Sequence, residues 1–252
     1  MTLLEPIDVP AVPATRRFAG IDALRGFAVA QMIAYHFIYD LNYFGWLHLA
    51  MTRDQPWLGW RTAIVTQFLL LVGASLVLRH AFKPAWSDFW RRWVQIAGAA
   101  LLVSAGSWWV FRDRFIYFGI LHYIAVGLIL ARLLVPLGRA NIVLGIIALL
   151  AGVLFKDTLF DPIGFNWLGF TTHKPRTEDY VPLFPWLGVT LIGVGLGASW
   201  QRARFAIAPA LQGFNDAPPR ALVFLGTWAL TIYLLHQPLL FGLLWAIRTL
   251  IG

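Results

Sequence analysis

The chain of 252 residues contains no cysteine. This absence excludes disulfide bonds, metal sites built on thiolates and enzymes with a cysteine nucleophile. Charged residues are also scarce, since they make up 13% of the chain while 59% of the residues are hydrophobic. The mean hydropathy is +0.68. A soluble domain of this length needs a more polar surface, so the composition indicates a membrane protein.

The amino-terminal residues lack the pattern of a cleavable signal peptide. They read "MTLLEPIDVPAVPATRRFAG", which is rich in proline and ends in a basic pair instead of opening with one. We therefore expect residues 1–20 to form a cytoplasmic tail that leads directly into the first span. No internal repeat is visible, so residues 21–252 are predicted to form a single transmembrane domain.

Lysine is scarce as well, and the basic residues do not form a patch. Only Lys83, Lys156 and Lys174 occur, all outside the apolar segments, which argues against a retinal protein with a buried Schiff-base lysine. The net charge is +8, but the arginines are dispersed in short connections. Membrane topology and anionic lipid headgroups explain them better than nucleic acid does.

Seven apolar segments are long enough to cross most or all of a hydrocarbon layer of about 30 Å. They cover residues 22–44, 60–79, 93–111, 115–134, 140–155, 182–200 and 220–250. The fifth is the weakest because it is short, and Pro238 is expected to kink or break the seventh. The predicted fold is an all-α, polytopic membrane helix bundle with about seven transmembrane helices.

The first segment, "DALRGFAVAQMIAYHFIYDLNYFGW", carries four ionisable side chains, Asp22, Arg25, His36 and Asp40. An Asp or Arg at the centre of a membrane helix costs about 2.5–3.5 kcal/mol on insertion scales, so these residues require an explanation. Helix geometry places Arg25 and His36 about 20° apart in direction and about 16 Å apart along the axis. Asp40 lies one turn beyond His36, within reach of its ring.

Two more histidines fall at a similar depth. Counted along the predicted helices, His36, His122 and His236 all lie in the outer third of the membrane, although their helices run in opposite directions. This convergence predicts a shared site. A haem protein with histidine ligands remains open at this point, as does a proton-coupled small-molecule transporter with a His/Asp relay, although transporters often show repeated halves and polar groups at the midplane.

Four segments of the chain resemble the heparan-alpha-glucosaminide N-acetyltransferase catalytic-domain family of the transmembrane acyltransferase superfamily, whose bacterial members are short multi-pass proteins. They are the first segment together with "FIYFGILHYIAV", "EDYVPLFPWLGV" and "TWALTIYLLHQP", in this order. The resemblance implies transfer of an acetyl group from cytosolic acetyl-CoA, across the membrane, to an amine or hydroxyl of an acceptor such as an amino sugar or another envelope glycan. It also implies that His36 is the active-site histidine, and it requires no metal.

Each remaining candidate residue has a functional and a structural interpretation. Asp40 can fix the tautomer of His36 or face water at the end of the span. Arg25 can hold the CoA phosphates, or extend to lipid headgroups, or pair with Asp22. His122 and His236 are predicted to bind the acceptor or assist proton transfer, and the alternative is a hydrogen bond between helices.

The loop before the sixth span adds the last candidates, Asp179 and Tyr180, which are predicted to line the outer mouth of the site or only to shape the loop. We expect an integral protein of the bacterial inner membrane that contacts lipids, acetyl-CoA and a glycan acceptor. The identity of the acceptor and homo-oligomerisation stay open.

The distribution of basic residues predicts the orientation. With the amino terminus inside, 11 Lys and Arg residues fall in inner segments and 8 in outer segments, and the positive-inside rule then favours a cytoplasmic amino terminus. We expect a reporter enzyme fused after Phe170 to be active only outside the cytoplasm. Cytoplasmic activity of that fusion would contradict the orientation. It would indicate that the short fifth segment does not cross the membrane.

Overall fold

The computed structural model of the chain describes residues 18–82 and 85–251. Most of the predicted tail, residues 1–20, therefore lies outside the described residues. The described part contains nine α-helices: α1 (Ala19–Tyr43), α2 (Gln55–Phe82), α3 (Trp86–Phe111), α4 (Ile120–Leu134), α5 (Ala140–Leu154), α6 (Leu183–Arg202), α7 (Pro209–Asp216), α8 (Arg220–Thr227) and α9 (Ala229–Ile251). Short 3-10 turns, and one parallel bridge between Phe118 and Tyr180, complete it.

Five helical segments in the described part of the chain are long and apolar enough to cross a membrane: α2, α6, α9, and α3 and α4 each extended by the 3-10 turn that follows it, to Arg114 and Leu137. The prediction of a membrane helix bundle is therefore confirmed in its class, whereas the count of seven spans remains a prediction. Helix α1 has 25 residues but carries the ionisable groups of the first segment. Helix α5 has 15 residues, about 22 Å, which is shorter than the hydrocarbon layer.

The predicted seventh segment, 220–250, forms two helices instead of one. The helical path is interrupted at Trp228, between α8 and α9, whereas Pro238 lies inside α9, which continues on both sides of it. Of the kink or break expected at Pro238, the break does not occur there, because α9 continues through this residue. Membrane helices tolerate proline, because neighbouring groups can satisfy the carbonyl that it leaves without a donor.

Glycines allow α1 and α8 to approach very closely. A Cβ atom built on Gly26 would lie 1.8 Å from the Leu222 carbonyl oxygen, and one on Gly226 would lie 1.8 Å from the Asp22 carbonyl oxygen. Small residues permit such contact between helix backbones, which lets dispersion forces hold helices together where lipid offers no hydrophobic driving force. This contact fixes the amino-terminal half of α1 against the start of the carboxyl-terminal helical segment.

Helices α1, α2, α4, α3 and α9 surround a cavity of about 2110 Å³, and α6 packs behind α2 with α5 on its far side. The cavity follows one face of α1, from Arg25 to Tyr43. We name the two ends of the cavity after the residues that line them. The arginine end holds Arg25, Arg79, Arg91 and Arg92, and the loop end holds Arg61, Arg114, Lys174, Arg176, Glu178 and Asp179.

The segment before α6 covers the loop end of the cavity. Its backbone is attached to the turn before α4, since Glu178 N donates to Arg114 O at 3.0 Å and Val181 N donates to Phe118 O at 3.2 Å. The side chain of Glu178 accepts a hydrogen bond from the Tyr39 hydroxyl at 3.2 Å and pairs with Arg114 at 3.2 Å. The segment thereby connects α1 to the end of α3.

The close contact of α1 and α8 leads to a prediction about the thermal stability of the protein. Gly26→Ala should lower the melting temperature of the purified protein, because the added methyl group collides with backbone and overpacking costs about 1–3 kcal/mol. Gly98→Ala in α3 is the matched control, since a Cβ atom there meets nothing within 4 Å and alanine favours a helix by up to about 1 kcal/mol. An unchanged melting temperature in Gly26→Ala would contradict the packing.

Candidate functional site

Two histidines meet in the wall of the cavity. His36, on the cavity face of α1, places its Nδ1 atom 2.6 Å from Nε2 of His236 on α9, and the two ring planes are inclined by only 18°. Both residues line the cavity. The sequence therefore predicted correctly that these two histidines come together, although they stand 200 positions apart.

The backbone around His236 determines where the protons lie. Nδ1 of His236 is 2.7 Å from the carbonyl oxygen of Tyr233 and 3.2 Å from that of Ile232. A carbonyl oxygen only accepts, so in a neutral His236 ring Nδ1 carries the proton and Nε2 is an acceptor. His36 must then donate from Nδ1, which leaves its Nε2 with a free lone pair.

The same short distance argues against a haem or another metal between the two rings. Two metal–nitrogen bonds of about 2 Å each would separate the nitrogens by roughly 4 Å, whereas they lie 2.6 Å apart. Among the described residues, no group of three His, Cys, Asp or Glu side chains is arranged to hold a metal ion.

Asp40 contacts a different partner from the one its position in the helix suggested. Its Oδ1 atom accepts a hydrogen bond from Nε2 of Gln237 at 2.7 Å, so it does not hold the His36 ring, whose Nδ1 contacts His236. Asp40 is only 1% exposed. Among the described residues no donor reaches its Oδ2 atom or the Oε1 atom of Gln237. Two buried acceptors beside the histidine pair are therefore left unsatisfied by the described residues.

Arg25 joins three helices at the arginine end. Its guanidinium donates to Asp22 Oδ1 at 2.7 Å, to Ser75 Oγ on α2 at 3.0 Å and to the Gly226 carbonyl on α8 at 3.4 Å. The pairing with Asp22 is the structural alternative that the sequence left open. These contacts hold the positive charge of Arg25 at the cavity wall.

Three further arginines surround Arg25, and the sequence gave no reason to select them. Arg79 ends α2, Arg91 and Arg92 lie in the first turns of α3, and all three line the cavity. The guanidinium of Arg92 is close enough to Arg79 and Arg25 to feel their like charges. Such a cluster is unfavourable by itself and is complementary to a polyanion.

At the loop end, Asp179 holds the start of α4. Its Oδ2 atom accepts a hydrogen bond from Ile120 N at 2.9 Å, and negative charge is favourable at a helix amino terminus. Burial raises the pKa of the Asp179 carboxyl above its ordinary value, while the bond from Ile120 and the charge of Arg61 act in the opposite direction. Asp179 also lines the cavity.

Tyr180 lines the cavity as well and fastens the covering segment. Its hydroxyl donates to the Asn166 carbonyl at 2.6 Å, and the Asn166 side chain accepts from Tyr117 at 3.0 Å. Burial raises the pKa of Tyr180 to about 12, so its hydroxyl stays protonated near neutral pH.

His122 is not among the described residues that line the cavity. Its Nδ1 atom accepts from Gly119 N at 3.3 Å, and its Nε2 atom lies 2.8 Å from Ser104 Oγ on α3. These contacts cap α4 and connect it to α3. His122 thus contacts α3 and the turn before α4 and not the histidine pair.

A comparison with protein families provides independent information on the chain. The family model described as heparan-alpha-glucosaminide N-acetyltransferase, catalytic, matches residues 17–238. No curated protein and no solved structure matches the chain. The matched region includes the histidine pair, both ends of the cavity and the segment that covers it.

This match extends over most of the chain, from the start of α1 to Pro238. It agrees with an integral membrane protein whose cavity is lined by buried polar groups. The chain belongs to the catalytic-domain family of heparan-alpha-glucosaminide N-acetyltransferase, a family of membrane transferases.

Proposed function

We propose that the protein transfers the acetyl group of acetyl-CoA to an amine or hydroxyl of a glycan acceptor, and that His36 carries the chemistry. The observation behind this proposal is the hydrogen-bonded pair of His36 and His236, which leaves Nε2 of His36 unprotonated in the cavity. A neutral imidazole with an unprotonated ring nitrogen can act as a base or as a nucleophile.

The arginine end is the donor site in this proposal. The phosphates of CoA would lie among Arg79, Arg91 and Arg92, where the charge of Arg25 adds to the attraction. The pantetheine arm would extend along the cavity face of α1. Arg25 and His36 are about 16 Å apart along that helix, a span that an extended arm can cover.

The thioester would then lie beside Nε2 of His36. As a base, Nε2 takes the proton of the acceptor amine or hydroxyl while that group attacks the acetyl carbonyl, and the thiol of CoA leaves with the proton. As a nucleophile, Nε2 first attacks the acetyl carbonyl and the CoA thiolate leaves. The acceptor amine or hydroxyl then attacks the acetyl-imidazole, which releases His36, and the proton of the acceptor passes to the CoA thiolate. In both cases His236 accepts a hydrogen bond from Nδ1 and stabilises the positive charge that develops on the His36 ring.

Acceptor binding is assigned to the groups around the pair. Oδ2 of Asp40 and Oε1 of Gln237 are buried acceptors that can receive N–H or O–H groups of a glycan. Asp179 and Tyr180 border the cavity at its loop end. In this proposal His122 positions α4 and does not contact the acceptor, because its own contacts are with Ser104 on α3 and with Gly119 before α4.

We further propose that seven helices, α1 to α6 and α9, cross a bacterial inner membrane and that the amino terminus is cytoplasmic. The arginine end would then open towards the cytoplasm, where acetyl-CoA is made, and the loop end would face the other side. The distribution of Lys and Arg supports this orientation.

The histidine pair predicts distinct effects of two substitutions on acetyl transfer. His36→Ala should reduce kcat by at least about 10³-fold, since it removes the base or nucleophile. His236→Leu should lower kcat by about tenfold or more with little change in the KM for acetyl-CoA, and His236→Gln should recover part of the loss because its amide oxygen can accept the hydrogen bond. Both effects are measured by transfer of labelled acetyl groups in detergent.

The control for these variants is His173→Gln, which changes an exposed histidine in the loop before α6 and should leave the rate unchanged. Near-parental transfer by a folded His36→Ala protein would contradict the mechanism. If that protein instead moved a solute with protons and consumed no acetyl-CoA, the transporter interpretation would replace it.

The arginine end predicts an effect on donor affinity. Arg92→Gln should raise the Kd for CoA by about tenfold with little change in kcat, because a phosphate contact is made equally in the ground state and the transition state. The affinity of the parent protein should also fall with increasing salt. Isothermal titration with CoA measures both effects.

Arg139→Gln is the matched control, because Arg139 is exposed and is not among the described residues that line the cavity. Equal CoA affinities in the parent, Arg92→Gln and Arg139→Gln proteins would place the donor phosphates elsewhere and would contradict the assignment of the arginine end.

A further inference from the structure

The cavity is not closed on all sides by protein. Several residues that line it are themselves more than half exposed, namely Leu102 (66% exposed), Val110 (56%) and Leu235 (52%). The first two lie on α3 and the third on α9. The open side therefore lies between α3 and α9, and its rim is apolar.

Glycines keep this side open. Gly106 on α3 and Gly242 on α9 both line the cavity, and a Cβ atom built on either would meet nothing within 4 Å. Near the loop end the two helices touch through Phe111 and Phe241, whose ring centroids are 6.1 Å apart. We call the gap bordered by Leu102, Gly106, Val110, Leu235 and Gly242 the portal.

The portal leads to the histidine pair. Leu235 directly precedes His236, whose Nε2 atom contacts His36. One turn along α9, Phe241 stacks near Tyr43 and Phe44 of α1, with ring centroids 5.3 and 4.9 Å away. These rings close the α1–α9 side beside the portal, so the lateral opening has a defined position at the level of the reacting groups.

The loop end is a less suitable entrance for a bulky acceptor. The covering segment is attached there by Glu178, which bonds both Tyr39 of α1 and Arg114 after α3. The backbone bonds of Val181 and Glu178 to the turn before α4 add to this attachment. A glycan that entered along the membrane normal would have to displace these contacts, whereas the portal is bordered by exposed apolar side chains and glycines.

We propose that the acceptor is an amphiphile whose hydrocarbon tail occupies the portal while its polar group reaches His36 from inside the bilayer. This inference rests on the proposed function and adds the chemical class of the acceptor. The apolar rim is complementary to a hydrocarbon chain, and each buried CH₂ contributes about 0.8 kcal/mol. The buried acceptors of Asp40 and Gln237 would receive the polar group.

The test compares two soluble probes that share one polar group, methyl and dodecyl 2-amino-2-deoxyglucoside, with the purified full chain in lipid nanodiscs and labelled acetyl-CoA. The parent protein should acetylate the dodecyl glycoside with a kcat/KM at least about tenfold above that of the methyl glycoside. Gly106→Trp, which fills the portal, should remove this advantage and leave the kcat/KM for the methyl glycoside within about twofold.

Gly98→Trp is the matched control, since Gly98 also lies on α3 in open space but is not among the described residues that line the cavity. Comparison of variants in the same nanodiscs removes the effect of partitioning, because the dodecyl glycoside concentrates in the bilayer equally in each sample. If Gly106→Trp loses activity towards both glycosides, Gly242→Trp on the facing helix provides the same test.

The outcomes separate the two proposals. Acetylation of both glycosides with equal kcat/KM, or a tail preference that survives in Gly106→Trp and Gly242→Trp, would overturn the portal and leave the proposed function intact. Absence of acetyl transfer to either glycoside by the parent protein would contradict the proposed function itself.

Discussion

The hydrogen bond between His36 and His236 is the interaction on which the account depends. It joins α1 to α9 across the cavity, and the carbonyl of Tyr233 fixes its direction by accepting the Nδ1 proton of His236. The Tyr233 carbonyl on α9 thereby determines that Nε2 of the His36 ring, on α1, is the nitrogen that keeps its lone pair. A carboxylate usually has this orienting role beside a catalytic histidine; here a second imidazole has it, and Asp40 holds Gln237 instead.

The ionisable groups of α1 are accommodated because their side chains line the cavity or contact other helices instead of standing alone in hydrocarbon. Arg25 is paired with Asp22 and bonded to α2 and α8, His36 is bonded to α9, and Asp40 is almost completely buried against Gln237. Partners of this kind reduce the insertion penalty that each group would pay alone in hydrocarbon. The close approach of α1 to α8 through glycines keeps the partners within reach.

Sequence periodicity predicted the helices and the meeting of His36 with His236, because depth and helix face follow from regular geometry. It could not predict that Asp40 would contact Gln237, since a position one turn away does not decide between two partners. His122 was expected at the same site, but its side chain contacts Ser104 on α3. Arg79, Arg91 and Arg92 escaped detection because they look like ordinary inner-side charges until tertiary packing brings them to the same end of the cavity as Arg25.

The tautomer of His36 tests the central claim most directly. Nitrogen-15 NMR of histidine side chains in the detergent-solubilised protein, assigned by the loss of signals in His36→Gln and His236→Gln, distinguishes protonated from unprotonated ring nitrogens. The account predicts that His36 carries its proton on Nδ1 and has an unprotonated Nε2, and that His236 is likewise protonated on Nδ1. A His36 ring protonated on Nε2 at neutral pH would contradict the orientation of the pair and with it the proposed chemistry.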